Sequence, residues 1–360
     1  MKASVLHELG ALPVVEELEL RALRAHEVRV RIAASGVCHT DLSLRDGSMP
    51  ALLPTTLGHE GAGVVVEVGS DVTRTKPGDH VVLSWVAPCR SCFHCLRGAA
   101  HLCVHGLDHG FGDPYAEGPT GPVWPAMGCG TLAEETLLPE AAVIPISSEL
   151  PLEQAALLGC GVLTGVGAVI RNAQVRPGET VLIVGCGGVG LAAVQGARLS
   201  GASRIIAADP SPSARDRALT SGATHVVDAA ASDVPTAVRD LTDGHGADHG
   251  IEVVGRSSTI RTAYDATRRG GIVTVVGAGT FDDGVTFPAL SLMADAKQIR
   301  GSVFGSTDPD RDLPPLVDLA LRGALDVNAL VSRRIGLADV ESAFAAMTAA
   351  EVARSVVVFN

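Results

Sequence analysis

The chain has 360 residues, of which 46% are hydrophobic and 19% charged, and its formal net charge is −12. This length exceeds what one hydrophobic core normally supports, so we expect two domains. The acidic balance argues against binding to a nucleic-acid backbone. The first residues lack the apolar stretch of a signal peptide, and apolar runs such as residues 81–83 and 181–184 are too short to cross a bilayer. We therefore expect a cytoplasmic protein with no membrane partner, whose eight cysteines are metal ligands or buried thiols.

Short β-rich segments separated by Gly, Pro and Asp fill the chain up to about residue 150. They predict a mostly antiparallel, barrel-like domain, with strands at residues 28–33, 63–68, 80–84 and 143–146 and a surface loop at residues 114–125.

After Pro177 and Gly178 the pattern changes to apolar strands that alternate with helices, which is typical of a parallel sheet covered on both faces. We predict six strands, at residues 180–184, 204–208, 225–227, 250–254, 272–276 and 300–304, with the clearest helices at 188–199 and 257–268. Six such strands fit the doubly wound dinucleotide-binding fold. The predicted domains are residues 1–160 and 161–304. Residues 305–360, with a last strand at 355–359, are expected to return to the first domain.

A glycine-rich turn follows the first of the parallel strands, where Gly185, Gly187 and Gly190 form the pattern G-x-G-x-x-G. The first glycine allows a tight turn, the second lets backbone N–H groups approach a pyrophosphate, and the third lets helix and strand pack closely. Gly188 and Val189 open the next helix, whose N-terminus favours an anion. The turn is predicted to bind a dinucleotide.

Asp209 lies nineteen residues past the last of these glycines, at the end of the next strand. A carboxylate there accepts hydrogen bonds from the adenosine ribose and repels a 2′-phosphate. The sequence thus predicts NAD rather than NADP, with Arg215 and Arg217 nearby as the features that weigh against this choice.

Four cysteines, Cys89, Cys92, Cys95 and Cys103, form the pattern C-x2-C-x2-C-x7-C. Four thiolates around one small centre complete a tetrahedral Zn²⁺ shell that has no position for a substrate. We predict a structural zinc that orders a lobe without a core of its own. An iron–sulfur cluster is the alternative, since similar spacings occur in ferredoxins.

Three further donors are scattered along the chain: Cys38 in GVCHTD, His59 in GHEG and Cys160 in GCGVLTG. Taken singly, each fits a buried thiol or a hydrogen-bonded histidine. Together with the cysteine lobe and the glycine turn, they make the chain resemble the medium-chain zinc-dependent alcohol dehydrogenase family over nearly its whole length. The resemblance implies a GroES-like catalytic domain joined to a Rossmann domain, two zinc ions and NAD.

By this resemblance, Cys38, His59 and Cys160 bind the catalytic zinc, with water or substrate as the fourth ligand. Glu60 becomes a possible alternate ligand. Asp41 is expected to hydrogen-bond His59 and fix its tautomer, as metal-bound histidines require.

The chemistry implied is a hydride transfer from a zinc-held alcohol to nicotinamide. The alcohol proton is expected to leave through the hydroxyl of Thr40. Many relatives have a histidine where this chain has Ser43, which predicts a water-assisted relay whose final base is open. His39 and Arg354 match residues that contact the pyrophosphate.

Trp85 matches a substrate-channel aromatic of the family, the alternative being a tryptophan of the barrel core. Leu132, Ile299 and the loop around Trp124 are weaker candidates for the pocket. Glutathione-dependent members have an arginine three residues after the last cysteine of the lobe, where this chain has Gly106.

The motifs around Cys38 and Cys160 look most like those of class III and mycothiol-dependent formaldehyde dehydrogenases. However, Gly47 and Met49 replace the acidic pair that holds glutathione, so hydroxymethyl-glutathione is not the expected substrate. We expect a primary alcohol or aldehyde with an apolar or aromatic group, with a thiol-adduct formaldehyde dehydrogenase as the alternative.

The long segment between the last cysteine of the lobe and Cys160 resembles that of dimeric family members, and the sixth parallel strand is a candidate edge for pairing across a two-fold axis. We predict a homodimer. Two rivals are a zinc-free quinone or enoyl reductase, which would lack the three scattered ligands, and a zinc ribbon on nucleic acid, which the acidic charge disfavours. The physiological alcohol, the direction of reaction and the roles of Cys129 and Cys186 are open.

Overall fold

The computed structural model describes residues 1–359, which form two compact units. Unit 1 contains Met1–Gly161, Asp308–Ala349 and the chain from Arg354 onward, and unit 2 contains Val162–Thr307 and Ala350–Ala353. The second domain predicted from the sequence spans residues 161–304, whereas the main segment of unit 2 spans Val162–Thr307. The short segment Ala350–Ala353 in unit 2 has no counterpart in the prediction.

Unit 1 is built on two mostly antiparallel sheets, which confirms the predicted β-rich domain. The first sheet has the strand order Val14–Glu17, Lys2–Leu6, Thr55–Thr56, Gly121–Pro125, Ala116–Gly118 and Glu19–Leu20. The second has the order Val143–Pro145, His80–Leu83, Glu60–Val68, Glu27–Val37, Arg354–Val358 and Val331–Ile335, with Glu135–Pro139 also paired to the fourth of these.

The strand Glu27–Val37 is the centre of the second sheet, because it pairs with three other strands. Its first half alternates, with Val28, Val30 and Ile32 buried in the core and the arginines between them turned outward. Its last residues are buried throughout. The strand therefore delivers its C-terminal end, and Cys38 directly after it, into the interior of unit 1.

The prediction of a surface loop at residues 114–125 is wrong. The chain there forms a β-hairpin, Ala116–Gly118 against Gly121–Pro125. Tyr115 and Val123 are completely or almost completely buried and pack with Ala3, Val5 and Leu18. The many Pro and Gly residues sit at the turn and strand ends, so composition alone concealed the buried side chains.

Unit 2 contains a six-stranded parallel sheet in the order His225–Asp228, Arg204–Asp209, Thr180–Val184, Ala247–Glu252, Thr267–Val275 and Gln298–Gly301. This is the doubly wound order predicted from the sequence. The sixth strand begins and ends earlier than the predicted residues 300–304. Phe304 and Ser306 have positive φ angles of 51° and 56°, and Val303–Ser306 is a tight turn rather than extended chain.

The helices of unit 1 are His39–Asp46, Asp108–Phe111, Leu152–Leu157, the π-helical Leu158–Val162, Pro309–Leu321 and Val340–Thr348. Those of unit 2 are Leu163–Gly167, the π-helical Ala168–Ala173, Gly188–Leu199, Pro212–Ser221, Val234–Asp240, Ser257–Ala266 and Ala289–Ala294. Short 3₁₀ turns lie at Cys95–Arg97, Ala100–Leu102, Ala126–Gly128, Glu140–Ala142, Val303–Ser306, Asn328–Leu330 and Leu337–Asp339.

One helical stretch, Leu152–Ala173, is long and apolar enough by composition to cross a membrane. Its most apolar 18-residue window is 78% buried inside the protein. A buried core helix can be as long and as apolar as a membrane-spanning helix, so this stretch is weak evidence for a membrane span. The apolar runs considered in the sequence did not include it, because Gly and Ala dilute its hydrophobicity.

Candidate metal and cofactor sites

Four buried side chains converge in unit 1: Cys38, His59, Glu60 and Cys160 offer ligand atoms that all lie within 4.8 Å of one another. Cys38 caps the helix His39–Asp46 at the end of the central strand, and His59 immediately precedes the strand Glu60–Val68. Cys160 lies on the π-helical turn Leu158–Val162. The structure thus brings together the three scattered ligands predicted from the sequence, and adds Glu60 beside them.

Asp41 organises this cluster. Its carboxylate accepts hydrogen bonds from the backbone N–H groups of Cys38 and Gly58, both at 3.0 Å, and lies 3.1 Å from Nδ1 of His59. With Nδ1–H donated to the carboxylate, the bare Nε2 is the ring atom left for a metal. The hydrogen bond between Asp41 and His59 is the one expected from the sequence.

Three glycines leave the space that the cluster occupies. A Cβ added at Gly36 would lie 2.2 Å from Oε2 of Glu60, and one at Gly161 would lie 2.8 Å from Nη2 of Arg354. Gly58 has a φ of +97°, and a Cβ there would meet backbone of residue 132 at 2.5 Å. Sequence reasoning missed these roles, since their only signal is a glycine next to each ligand motif.

A buried ion pair closes one side of the cluster. Oε1 of Glu60 accepts hydrogen bonds from Nη2 of Arg354 at 3.2 Å and from the backbone N–H of Gly161 at 3.1 Å. Arg354 is only 6% exposed, and its Nη2 also lies 3.7 Å from Sγ of Cys38. Arg354, predicted as a pyrophosphate contact, therefore makes direct contact with the predicted metal ligands.

The electrostatics of the cluster favour a thiolate. The hydrogen bond from Cys160, helped by the charge of Arg354, holds the pKa of Cys38 well below its usual value, whereas the same contact raises the pKa of Cys160 well above it. Burial opposes a charge on His59, but Asp41 and Cys38 together raise its pKa. Burial raises the pKa of Glu60 to about 7.

The donor set fits a zinc ion. Nε2 of His59 and Oε2 of Glu60 are buried and have no hydrogen-bond partner in the part of the chain that the structure describes. Two sulfurs and one imidazole nitrogen, with one further position, are the ligand set of a catalytic zinc. An uncompensated imidazole nitrogen in the interior would otherwise cost free energy.

A second group consists of Cys89, Cys92, Cys95 and Cys103, whose sulfurs also lie within 4.8 Å of one another. Sγ of Cys92 and Sγ of Cys103 are 3.9 Å apart, close to the separation of about 3.8 Å expected for two thiolates on one tetrahedral zinc. The backbone N–H groups of Cys89 and Cys92 donate to sulfurs of the group, each at 3.3 Å. The geometry fits one ion better than an iron–sulfur cluster, which would hold the sulfurs farther apart.

The glycine turn of unit 2 has the geometry that each of its glycines predicts. Gly185 has a φ of +97°, and a Cβ at Gly190 would lie 2.0 Å from the carbonyl oxygen of Gly185. A Cβ at Gly187 would meet nothing within 4 Å, so this side of the turn faces open space. Gly188 begins the helix Gly188–Leu199, with Val189 in its first turn. The turn can therefore present its N–H groups to a pyrophosphate.

Two family descriptions match the chain. Residues 24–148 match the alcohol dehydrogenase GroES-like domain, and residues 188–322 match the zinc-binding dehydrogenase domain. The NDMA-dependent alcohol dehydrogenase of Amycolatopsis methanolica is 36% identical over 95% of this chain and 94% of its own. The chain belongs to the medium-chain zinc-dependent alcohol dehydrogenase family.

Other members of the alcohol dehydrogenase family point to different substrates and cofactors. The S-(hydroxymethyl)glutathione dehydrogenase of Paracoccus denitrificans is 34% identical over 99% of both chains. The benzyl alcohol dehydrogenase structure from Acinetobacter calcoaceticus has a TM-score of 0.93 and 31% identity, covering 100% of this chain and 99% of its own. A zinc-binding dehydrogenase structure from Sinorhizobium meliloti 1021, bound to NADP, has a TM-score of 0.85 and 27% identity over 99% of both chains.

The remaining site residues predicted from the sequence lie as follows. His39 is exposed at the start of the helix His39–Asp46. Thr40 and Ser43 are half-buried on the same helix and, three residues apart, share one face. Trp85 is half-buried against the barrel core that contains Leu83 and Cys129, as the alternative assignment for this residue expects.

The carboxylate of Asp209 lies beside the glycine turn. Oδ2 accepts a hydrogen bond from the backbone N–H of Cys186 at 2.8 Å. Arg215 donates to the backbone carbonyl of Asp209 and is paired with Asp228 at 2.9 Å, and Arg217 donates to the carbonyls of residues 350 and 351. Both arginines are thus engaged by acceptors of unit 2.

Proposed function

We propose that this alcohol dehydrogenase interconverts a primary alcohol with an apolar or aromatic group and its aldehyde, with NAD as the hydride carrier. The observation that carries the proposal is the buried cluster of Cys38, His59 and Cys160, in which Nε2 of His59 has no hydrogen-bond partner among the described residues. Bound zinc supplies the Lewis acidity that lowers the pKa of an alcohol hydroxyl. A bound nicotinamide would supply the redox chemistry as the acceptor of the hydride.

The residues of unit 1 have distinct roles in this proposal. Cys38, His59 and Cys160 would hold the zinc, and Asp41 fixes the tautomer of the imidazole. The hydroxyl of Thr40 receives the alcohol proton. Ser43 lies on the same helix face and cannot act as a base of useful strength near pH 7, so water completes the relay to solvent.

The choice of NAD over NADP rests on charge. The carboxylate of Asp209 stands beside the glycine turn, where it would accept from ribose hydroxyls and repel a phosphate. Arg215 is paired with Asp228 and so does not offer an uncompensated cation for a 2′-phosphate. Because a similar dehydrogenase structure is bound to NADP, both cofactors are compared in the experiment below.

The substrate class is supported by what the chain lacks. Gly47, Met49 and Gly106 occupy the positions where charged side chains would hold a glutathione adduct, and the structural similarity to a benzyl alcohol dehydrogenase agrees with an uncharged alcohol. The alternative is a thiol-adduct formaldehyde dehydrogenase of the mycothiol type. Because some relatives are S-(hydroxymethyl)glutathione dehydrogenases, the experiment below also includes thiol adducts of formaldehyde.

The decisive experiment measures cofactor reduction with purified enzyme against benzyl alcohol, C4–C8 alcohols, and formaldehyde with glutathione or mycothiol. NAD and NADP are compared, each also with NDMA as an external oxidant because one relative is NDMA-dependent. In the NDMA assays the loss of NDMA is followed, since NDMA re-oxidises the reduced cofactor. We expect turnover of benzyl alcohol with NAD and no dependence on added thiol. Turnover of thiol adducts alone would replace the proposed substrate by the alternative.

A matched pair of cysteine variants tests the zinc. Cys160→Ser should reduce the zinc content from two ions per chain to one and abolish turnover. Cys129→Ser changes an equally buried thiol outside both groups and should keep both ions. Full activity of Cys160→Ser would contradict the proposed site.

We also propose a homodimer formed through unit 2. The strand Gln298–Gly301 is an open edge of the parallel sheet. Large apolar side chains near it are exposed: Leu290, Met293 and Val303 at 71%, 72% and 48%, and Ile299 on the strand itself at 40%. A second copy paired edge to edge would satisfy the backbone groups and cover these side chains.

A further inference from the structure

Arg90 occupies an unusual place in the four-cysteine lobe. It lies between Cys89 and Cys92 with a φ of +61°, in the left-handed region that favours glycine. A side chain with a Cβ costs roughly 1 kcal/mol in this conformation. An arginine at this position therefore carries a local cost that a contact elsewhere has to offset.

The strain at Arg90 is offset by ion pairs with carboxylates of the segment Asp308–Ala349, which belongs to unit 1. Nη2 of Arg90 donates to Oδ1 of Asp308 at 2.8 Å, Nη1 donates to Oδ2 of the same carboxylate, and Nη2 also contacts Asp310. Arg74 holds Asp310 from the other side, with both oxygens at 3.0 Å from Nη1, and donates to the carbonyl of Glu140. Of these groups, only Arg90 belongs to the cysteine lobe.

Asp308 is the residue on which the helix Pro309–Leu321 begins. Its carboxylate accepts from the backbone N–H of Asp310 at 3.2 Å, and its own N–H donates to Asp312 at 2.8 Å. An N-cap of this kind stabilises the first turn of a helix. Arg90 thus contacts the capping carboxylate itself rather than a distant part of the helix.

The lobe has little apart from its thiolates to hold the turn at Arg90. Its apolar side chains are largely exposed, with Phe93 at 62% and Leu96 at 72%. A metal ion bound by Cys89 and Cys92 fixes the two residues between them, and with them the direction of the arginine side chain. Without the ion, only the contacts of Arg90 with Asp308 and Asp310 would oppose the backbone strain, and the turn could relax away from the helix.

We infer that metal binding by the four-cysteine lobe stabilises the first turn of the helix Pro309–Leu321, and we call the lobe a metal-dependent latch in this sense. Arg90 transmits the effect, because its guanidinium contacts the N-cap residue Asp308. Arg90 is a positioning residue and takes no part in the proposed reaction. The inference concerns the structural ion and stands apart from the proposed substrate and cofactor.

The test is amide hydrogen exchange of the full chain, measured with zinc bound and after removal of zinc by a chelator. In the wild type, removal should speed exchange at residues 310–316, where every residue but Pro314 and Pro315 has an amide hydrogen, by roughly three- to thirty-fold, the range expected for the loss of an N-cap. Arg90→Gly relieves the positive φ and removes the guanidinium. With zinc content unchanged, it should show fast exchange in this segment already, and zinc removal should add little.

Two controls separate the latch from general loosening. Arg97→Ala removes another arginine of the lobe, which stacks on Phe93 at 3.6 Å and has no contact with the helix among those described, and should behave like the wild type. Repeating the chelation in Cys160→Ser, which lacks the other zinc site, should give the same response at residues 310–316. Unchanged exchange there in zinc-free wild type, or in zinc-loaded Arg90→Gly, would overturn the inference.

Discussion

The carboxylate of Glu60 and the guanidinium of Arg354 form an ion pair in the interior of unit 1, with Oε1 and Nη2 3.2 Å apart and Glu60 completely buried. Removing one member leaves an unpaired buried charge, which typically costs about 3–5 kcal/mol. Arg354→Met should lower the free energy of unfolding of the zinc-loaded enzyme by up to that amount, measured by urea denaturation at pH 8, above the pKa of about 7 of Glu60. The double variant Glu60→Gln, Arg354→Met should lose less than Arg354→Met alone.

Arg334 provides the control for this pair. It lies on the neighbouring strand and pairs with Glu153 at a partly exposed site, where an ion pair contributes about 0–1 kcal/mol. Arg334→Met should therefore leave stability nearly unchanged. Equal losses for the two arginine variants would show that burial of the Glu60 pair is not what matters.

Asp41 should control metal affinity without touching the metal. Loss of such an outer carboxylate weakens binding by about 10–100-fold in metal sites of this kind. Asp41→Asn should lower zinc affinity at the catalytic cluster accordingly, measured by competition with a chelator. Asp46→Asn, on the exposed end of the same helix, is the matched control and should bind zinc like the wild type.

Asp209→Ala should change the cofactor preference. Charge-assisted hydrogen bonds of this type contribute about 1.5–3 kcal/mol, so kcat/KM for NAD should fall about ten- to a hundred-fold while that for NADP falls less or rises. Asp216→Ala, an exposed residue of the following helix, should leave both values unchanged. Undiminished use of NAD by Asp209→Ala would reject the ribose contact.

His109 should make the protein sensitive to acid. Burial lowers its pKa from 6.5 to about 4, and neither ring nitrogen has a hydrogen-bond partner among the described residues. The unfolded chain therefore binds the proton first, so stability is full above about pH 6.5 and falls as the pH drops towards 4. His109→Gln should flatten the decrease of the urea midpoint between pH 7.5 and 5, a range in which the wild type loses at most about 2 kcal/mol through this histidine.

His105 is the comparison for this titration. It is exposed, and its pairing with Asp108 raises its pKa, which is the opposite direction. His105→Gln should leave the acid-side decrease of stability in place. If the urea midpoint of His109→Gln falls with decreasing pH as steeply as that of the wild type, His109 is not the group responsible for the acid sensitivity.

The proposed dimer depends on the open sheet edge. Ile299→Arg places a charge on the strand Gln298–Gly301 and should shift the mass measured by light scattering from that of a dimer towards that of a monomer. Leu219→Arg changes a side chain of similar exposure, 44%, on the helix Pro212–Ser221 and should not. A wild-type protein that is already monomeric, or a tetramer, would contradict the proposal.

Motifs with fixed spacing predicted the parts of the site that lie close together in sequence. The glycine turn and the cysteine lobe could be recognised because the chemistry requires their residues within a few positions. The convergence of Cys38, His59 and Cys160 came only from the family resemblance, since no local rule brings residues 21 to 122 positions apart to one point.

Contacts without a motif could not be predicted. Arg354 lies almost three hundred residues from Glu60, and the final strand brings it there only because that strand pairs with Glu27–Val37. The hairpin at residues 114–125 was missed because Pro and Gly dominate its composition, whereas buried side chains such as Tyr115 and Val123 determine its structure. Burial of this kind is decided by the tertiary fold.

The π-helical turn that carries Cys160 has a consequence for changes in chain length. Each extra residue in a helical turn advances the helix phase by about 100°, so a single deletion within Leu158–Val162 would swing this sulfur away from the imidazole, whatever residue types were kept. The spacing of this segment is therefore as much a part of the metal site as its donor atoms. Libraries that vary loop lengths elsewhere in unit 1 should leave this stretch at its present number of residues.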